Sequence, residues 1–271
     1  MAIKKPLWMG TEKSTGDTSN GAAGDEGVAQ FGFLKVPERE KARRVRNHFD
    51  SIARKYDVMN TLLSFGIHYL WKRSAVRLLK LRPGDAVLDV CGGTGDLSIL
   101  AVKRVGPFGK VVLYDINLAM MEAGRRKSTH SAARKEIRFV QGDAERIALK
   151  PDSFDAAMVG FGIRNLTHME EGLREMYRVL KPGGHLMCLE FSKPTSPWFR
   201  RLYDAYSFHI MPFLGLVFAG SRQAFTYLPE SIRLFPSPKE LADVLEEIGF
   251  RRVAWQRLTN GIAVVHVGTK E

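Results

Sequence analysis

Residues 87–96 read VLDVCGGTGD: an apolar run carrying one aspartate, a turn with three glycines in four residues, and a second aspartate. A glycine-rich turn that leaves a strand and opens a helix lets a ligand approach the backbone closely, and it is the usual first crossover of a parallel α/β sheet. No other stretch restricts the fold as much. A sheet begun this way needs helices on both faces.

The downstream chain repeats the alternation. The β-type runs AVLDV, KVVLYD, IRFVQGD, DAAMVGF and HLMCLEF are separated by helical patterns starting at Asp96, around Ala119 to Arg126, and over Met169 to Leu180. Five strands separated by helices predict an α/β, doubly wound, mostly parallel sheet. VAWQRLT and AVVHVGT predict a closing antiparallel hairpin around Asn260-Gly261, which brings the sheet to seven strands. Upstream, Val45, Phe49, Ile52, Ala53 and Tyr56 recur at helical spacing. A second helical stretch is expected over 196–235 and a helix over 237–247. The expected organisation is a disordered tail (1–34), a basic helical region (35–83) and a ligand-binding domain (84–271) carrying an insertion at about 196–235.

Charge is unevenly placed. The net charge is +12, and residues 35–83 hold 13 Lys/Arg against 4 Asp/Glu, or +9 in 49 residues. Such a segment favours a polyanion, either nucleic acid or an anionic lipid surface, against the plainer reading of a solvated helix face. The first 30 residues are poor in apolar side chains, which predicts disorder, and they lack the apolar core of a secretory signal. The two cysteines, Cys91 and Cys188, lie in apolar runs that read as strands, and no His/Cys cluster has ligand spacing. A cytoplasmic protein with reduced, buried thiols and no metal is expected.

The glycine turn selects its ligand by charge. Asp115 ends the second strand 20 residues after Gly95, where an acid binds ribose hydroxyls, so the ligand contains adenosine. Gly93 and Gly95 fit the dinucleotide pattern, but its third glycine is Ser98 here, and a phosphate-binding lysine is missing. Asp96 sits where a pyrophosphate would rest and, with Asp89, repels an anion. A cation suits both carboxylates, and S-adenosylmethionine supplies a sulfonium and an ammonium beside its adenosine. The structural alternatives are that Asp89 bonds the turn and Asp96 caps the helix. The third strand ends at Asp143 and Ala144, where an acid accepts from the adenine amino group, and the fourth ends in GFGIRN; these strand ends share one crevice. A nicotinamide dehydrogenase would set its pyrophosphate against Asp96. An RNA methyltransferase would want aromatics interleaved with the basic residues, and the apolar stretch 206–220 argues against it.

Longer motifs carry a resemblance. FGF (31–33), FDSIARKYDVMN (49–60), LSFGIHYLWKR (63–73), LDVCGGTGDLS, LYDIN, GDAE, FGIRN, MYRVLKPGG, LEFSKP, YLPESIRLFP (227–236) and LTNGIAVVHVG are similar to the UbiE-type C-methyltransferases of ubiquinone and menaquinone biosynthesis. The resemblance covers about residues 31–269. It implies a class I methyltransferase fold and methyl transfer from S-adenosylmethionine to a ring carbon of demethylmenaquinol or of a 2-polyprenyl-6-methoxy-1,4-benzoquinol. The family's cofactor contacts fall on Thr94, Asp115, Asp143 and Ala144, and the next on Gly160, a serine in some members. Cys91 replaces a usual alanine and Thr61 a usual acid or amide. The partners implied are a polyprenylated quinol, an anionic membrane surface met reversibly on its cytoplasmic side, a quinone-biosynthesis complex and a second copy, with no nucleic acid.

A quinol carbon is nucleophilic only once the neighbouring hydroxyl has lost its proton, and a phenolic pKa of about 10 leaves little phenolate at neutral pH. The site needs a base or an oxyanion-stabilising cation. Arg164 suits the cation and Asn165 can hold a ring oxygen, with Asp57 or His68 as proton acceptor and Tyr56 beside them. The plainer roles are an ion pair for Arg164, helix capping or packing for His68, a core aromatic for Tyr56 and packing for His209. YSFHIMPFLGLVFAG (206–220) is broken by Pro212 and Gly215 and falls short of the ~20 residues that span a bilayer. It is expected in a lipid-facing lid or at the membrane interface.

Overall fold

The computed structural model describes residues 27–128, 136–213 and 223–271. A hairpin of β1 (Val28–Phe31) and β2 (Leu34–Pro37) leads into three helices, α1 (Glu38–Ile52), α2 (Tyr56–Leu63) and α3 (Ile67–Leu78). The alternating part follows as β3 (Ala86–Val90), α4 (Asp96–Val105), β4 (Lys110–Asp115), α5 (Leu118–Ser128), β5 (Ile137–Gln141), β6 (Phe154–Gly160), α6 (Met169–Val179) and β7 (Leu180–Phe191). Then come α7 (Pro197–Ala205), a π-helical turn over Tyr206–Ile210, α8 (Gln223–Leu234), α9 (Pro238–Ile248), β8 (Phe250–Leu258) and β9 (Ala263–Lys270).

The seven-stranded sheet has the order β5-β4-β3-β6-β7-β9-β8, with the β8–β9 hairpin antiparallel and the other five strands parallel to one another. Strand order reverses at β3, which has β4 on one side and β6 on the other, so the glycine turn opens at the switch point where such sheets bind ligands. The alternation of strand side chains divides the core. Val87 and Leu113 pack with Trp71, Ala75 and Leu79 of α3 and Leu97 and Ala101 of α4. Leu88, Val90 and Tyr114 pack on the opposite face with Leu173 and Met176 of α6 and Leu241 and Leu245 of α9. Burial on both faces explains why the strands read as continuous apolar runs.

The tail ends earlier than expected. Residues 28–37 form a hairpin, Phe31 pairing with Leu34 around Gly32. Residues more distant in sequence order it: Glu230 of α8 accepts from Phe33 N–H at 3.1 Å, and the Phe31 ring stacks on Tyr227. Local composition carries no trace of those partners. Residues 1–26 of the expected tail, and residues 214–220 of the apolar stretch, lie outside the described residues. Cys188 is buried in β7 as expected, whereas Cys91 sits one residue past β3, half-buried in the turn with a φ of 54°.

Helices α1 and α2 roof the carboxyl edge of the sheet. They carry a small apolar cluster of their own, Ile52 and Met59 with Phe49, Tyr56 and Leu63 around them. Polar bonds fasten this roof: Lys41 Nζ to the Leu166 carbonyl at 2.5 Å, and Asn117 Nδ2 to Asp50 Oδ1 at 2.9 Å.

Helix α5 approaches the glycine turn through Gly124, where an added Cβ would lie 3.0 Å from the Thr94 backbone. Gly124→Val should therefore lower stability by about 1–3 kcal/mol through overpacking and weaken adenosyl-ligand binding with it. Thermal unfolding and titration of the folded variant check both; unchanged values in each would show that the contact is unimportant.

Candidate active site

The glycine turn is shaped by its own bonds and by its neighbours' carboxylates. Gly93 and Gly95 take the left-handed region, with φ of 52° and 80°, and Gly95 N–H donates to the Gly92 carbonyl at 2.8 Å. Asp115 Oδ2 accepts from Gly93 N–H and its Oδ1 from Asn117 N–H, both at 2.8 Å. Burial pushes the Asp115 carboxyl up to about 6, with those backbone donors working against the rise. Asp89 is buried completely; its Oδ2 accepts from the Ser98 hydroxyl at 2.6 Å and its Oδ1 has no partner. Burial lifts Asp89 to about 7, against the pull of Ser98. The Asp89 carboxylate is thus tied to α4, with one buried oxygen left without a partner.

Asp96 is not the free carboxylate the sequence suggested. Lys72 Nζ of α3 bonds its Oδ2 at 2.5 Å, and Lys127 of α5 bonds its Oδ1. Burial alone would raise the Asp96 carboxyl, but the two ammonium groups hold it below the usual range. Lys127 also donates to Asp57 Oδ2 at 2.8 Å, while the Thr94 hydroxyl donates to Asp57 Oδ1 at 2.7 Å. Asp57 therefore ties the roof to the glycine turn and to α5. The lysine that occupies it comes from a helix 70 residues away.

Two cavities meet beneath the roof. The smaller, about 160 Å³, runs between the glycine turn, Asp115, Asn117, Asp143, Ala144 and Gly160 below and Val45, Phe49 and Tyr56 above. Asp143 keeps one oxygen on Glu145 N–H at 2.9 Å, and Ala144 is buried. At Gly160 a Cβ would come 2.6 Å from Leu97 Cδ1, so a side chain there would need Leu97 to shift. The larger cavity, about 660 Å³, is walled by aromatic and aliphatic side chains with Arg164, His48, His68, His209 and Tyr227 among them. Phe49, Tyr56, Lys72 and Phe161 line both cavities.

The turn Ile163–Asn165 stands at this junction, Arg164 facing the larger cavity and Asn165 the smaller. Arg164 Nη1 bonds Glu190 Oε1 at 2.8 Å and the Phe161 carbonyl, its guanidinium lies 5.4 Å from the Phe191 ring centroid, and its Nε is buried without a partner. The expected ion pair exists, then, within a cavity wall. His68 is buried; burial, with Lys72 next, lowers its pKa to about 4, its Nε2 is 3.4 Å from Thr61 Oγ1, and its Nδ1 has no partner. Tyr56 packs edge-on against Phe49, 6.0 Å between centroids. Lys72, Lys127, Asn117, His48 and Tyr227 escaped sequence reasoning. Asn117 alone had a local signal, an asparagine before a helix whose Oδ1 accepts from Met120 N–H at 2.8 Å.

The smaller cavity fits S-adenosylmethionine. Asp115 and Asp143 suit its ribose and adenine, and Gly93 leaves room that a side chain would take, a Cβ there lying 3.3 Å from Met120 Cε. Fold and site together define a SAM-dependent methyltransferase of class I. The fold is shared with SAM-dependent methyltransferases of Thermotoga maritima (TM-score 0.59, 22% identity, 84% of this chain and 100% of that one) and Aquifex aeolicus (TM-score 0.55, 19%, 79% and 96%). The model of the ubiE/COQ5 methyltransferase family matches residues 37–270. The ubiquinone/menaquinone biosynthesis C-methyltransferases UbiE of Methylococcus capsulatus and Stutzerimonas stutzeri are 49% and 45% identical over 90% of this chain and over 99% and 96% of their own lengths. The chain belongs to the ubiE/COQ5 methyltransferase family.

The pH dependence of adenosyl-ligand binding follows from Asp115. Below about 6 its carboxyl holds a proton in the free protein, and a ligand whose ribose hydroxyls donate to it favours the ionised form. Affinity for S-adenosylhomocysteine should fall as pH drops through about 6, and Asp115→Asn should weaken binding at least tenfold and flatten that fall. Isothermal titration across the range decides it; a pH-independent affinity in the wild-type protein would remove the ribose role.

Proposed function

We propose that this protein methylates a ring carbon of a polyprenylated quinol, demethylmenaquinol or a 2-polyprenyl-6-methoxy-1,4-benzoquinol, in ubiquinone and menaquinone biosynthesis, with S-adenosylmethionine as methyl donor. The observation that carries the reading is the pair of cavities sharing Phe49, Tyr56, Lys72 and Phe161: one ends at the glycine turn, and the other is large, apolar and furnished with a buried guanidinium. When bound, S-adenosylmethionine supplies an electrophilic methyl group. The residues around the junction prepare the ring.

Arg164 stabilises the oxyanion left when the quinol hydroxyl loses its proton, and its low-dielectric surroundings strengthen that attraction. Glu190 keeps the guanidinium in place; burial raises the Glu190 carboxyl while Arg164 opposes the rise. Asn165, which lines the smaller cavity where the two meet, holds a ring oxygen that reaches the junction. Of the two expected proton acceptors, His68 lines the larger cavity; burial keeps it neutral but also lowers its basicity, so most of the activation rests on the oxyanion's attraction to Arg164. On rearomatisation the ring carbon gives up its hydrogen as a proton and the ring oxygen regains the one it lost, so one proton leaves in all and the acceptor ends neutral. Aromatic walls from Trp71, Phe161 and Phe191 exclude water from the developing charge.

The prenyl chain leaves through an apolar rim. Phe65, Leu202 and Ile210 line the larger cavity yet are 80%, 55% and 49% exposed, and Trp198 on α7 is 72% exposed. Exposed Arg54 and Arg73 belong to the same helical region. Not all of the +9 segment faces outward, since Lys41 and Lys72 are buried on internal partners. The surface favours reversible contact with an anionic membrane, with apolar side chains entering the interface and basic ones meeting headgroups. Among the described residues no helix is long and apolar enough to cross a membrane.

Methylation of a short-chain demethylquinol by the purified protein tests the activity, and no ring-methylated product from either quinol would overturn it. Arg164→Lys, which keeps Glu190 paired, should lower kcat by at least tenfold and Arg164→Ala by ~10²–10³, with S-adenosylhomocysteine affinity unchanged. A folded Arg164→Lys enzyme at wild-type kcat would return Arg164 to a purely structural role.

Co-sedimentation with vesicles tests the membrane surface. Recovery should be greater with anionic than with neutral vesicles, fall as salt rises, and drop in a Phe65→Ser/Ile210→Ser variant. Equal recovery with both vesicle types would remove the electrostatic part.

A further inference from the structure

Two motifs from opposite ends of the chain, FGF at 31–33 and YLPESIRLFP at 227–236, meet in space. Gly32, with a φ of 59°, turns against α8 so closely that a Cβ there would lie 2.2 Å from Glu230 Oε2. The same oxygen accepts from Phe33 N–H at 3.1 Å. The turn sets the Phe31 ring on Tyr227, with centroids 4.4 Å apart and planes 19° apart, while His48 lies 5.4 Å from the same ring and the Arg44 guanidinium 6.0 Å from Phe31. Tyr227 is 4% exposed, and its hydroxyl donates to Asn165 Oδ1 at 2.9 Å. Burial pushes the phenol up to about 12, so it retains the proton it donates.

This bond decides which end of the asparagine is left for a ligand. With Oδ1 engaged, the amide presents Nδ2, which makes only a long contact of 3.4 Å to the Phe161 carbonyl. A free amide flips at little cost and would then turn its carbonyl toward a developing oxyanion, a repulsive arrangement. We propose that Tyr227 is a positioning residue for methyl transfer: held by the Phe31 stack and the β1–β2 turn, it fixes the Asn165 amide so that its NH₂ donates to the quinol oxygen beside Arg164. The inference rests on the reading of Asn165 as the holder of a ring oxygen.

Tyr227→Phe keeps the ring and its stacking and removes only the hydroxyl. It should lower kcat about tenfold, the value of one oriented hydrogen bond, with KM for the quinol and S-adenosylhomocysteine affinity nearly unchanged in a protein that still folds. In an Asn165→Ala background the same substitution should have no further effect, because the group it orients is gone. Phe31→Leu, which loosens the stack from the far side, should lower kcat in the same selective way. A Tyr227→Phe enzyme at wild-type kcat, or one losing as much with Asn165→Ala as without it, overturns the positioning role. Asn165→Ala at wild-type kcat instead removes the parent reading of the asparagine, so the two failures are distinguishable.

Discussion

The bond from Gly93 N–H to the Asp115 carboxylate joins the turn after one strand to the end of its neighbour, at the place where the strand order reverses. Much of the site depends on it. It holds Gly93 in a conformation that a side chain would resist. The other oxygen of the same carboxylate accepts from Asn117, whose side chain begins α5 and reaches the roof helix α1. One half-buried acid thus shapes the cofactor turn, starts a helix and anchors the cover. Burial opposes its ionisation, and the backbone donors make that burial tolerable.

Around the same turn four charges from four helices cancel. Asp57 of α2, Lys72 of α3, Asp96 of α4 and Lys127 of α5 are joined by close ion pairs. Removing either lysine would leave two carboxylates with one ammonium group between them, which is why such sets persist together. Because Asp57 belongs to the roof, the pairing also closes helices with only a small apolar cluster of their own over the cavity mouth. Part of the chain's basic excess therefore serves internal pairing, and the remainder is left for the surface.

The ring side of the site follows another rule. Its cavity is apolar, and polar groups in its wall are held from behind, Arg164 by Glu190 and Trp71 by Thr259, as is Asn165 by Tyr227 where the two cavities meet. Buried polar groups without such support would be costly and poorly aimed. Substrate-facing geometry is thereby set by residues of β7, α8 and the C-terminal hairpin, far along the chain from the GFGIRN turn itself.

The sheet, its seven strands and the place of the cofactor turn were legible in sequence, because strand periodicity, helix starts and glycine conformations act over a few residues. The acids at the ends of β3, β4 and β5 could be read for the same reason: each stands at a fixed offset from a strand end, and parallel strands bring those ends together. The long motifs showed the family as well. What only the tertiary structure decided was pairing. That Lys72 and Lys127 occupy Asp96, that Asp57 ties the roof to α5, that residues 28–37 are ordered, and that Tyr227 bonds Asn165 all depend on groups tens to nearly two hundred residues apart. Coulomb attraction, ring stacking and hydrogen bonding act through distance in space, and a linear chain carries no record of those distances until its core has packed.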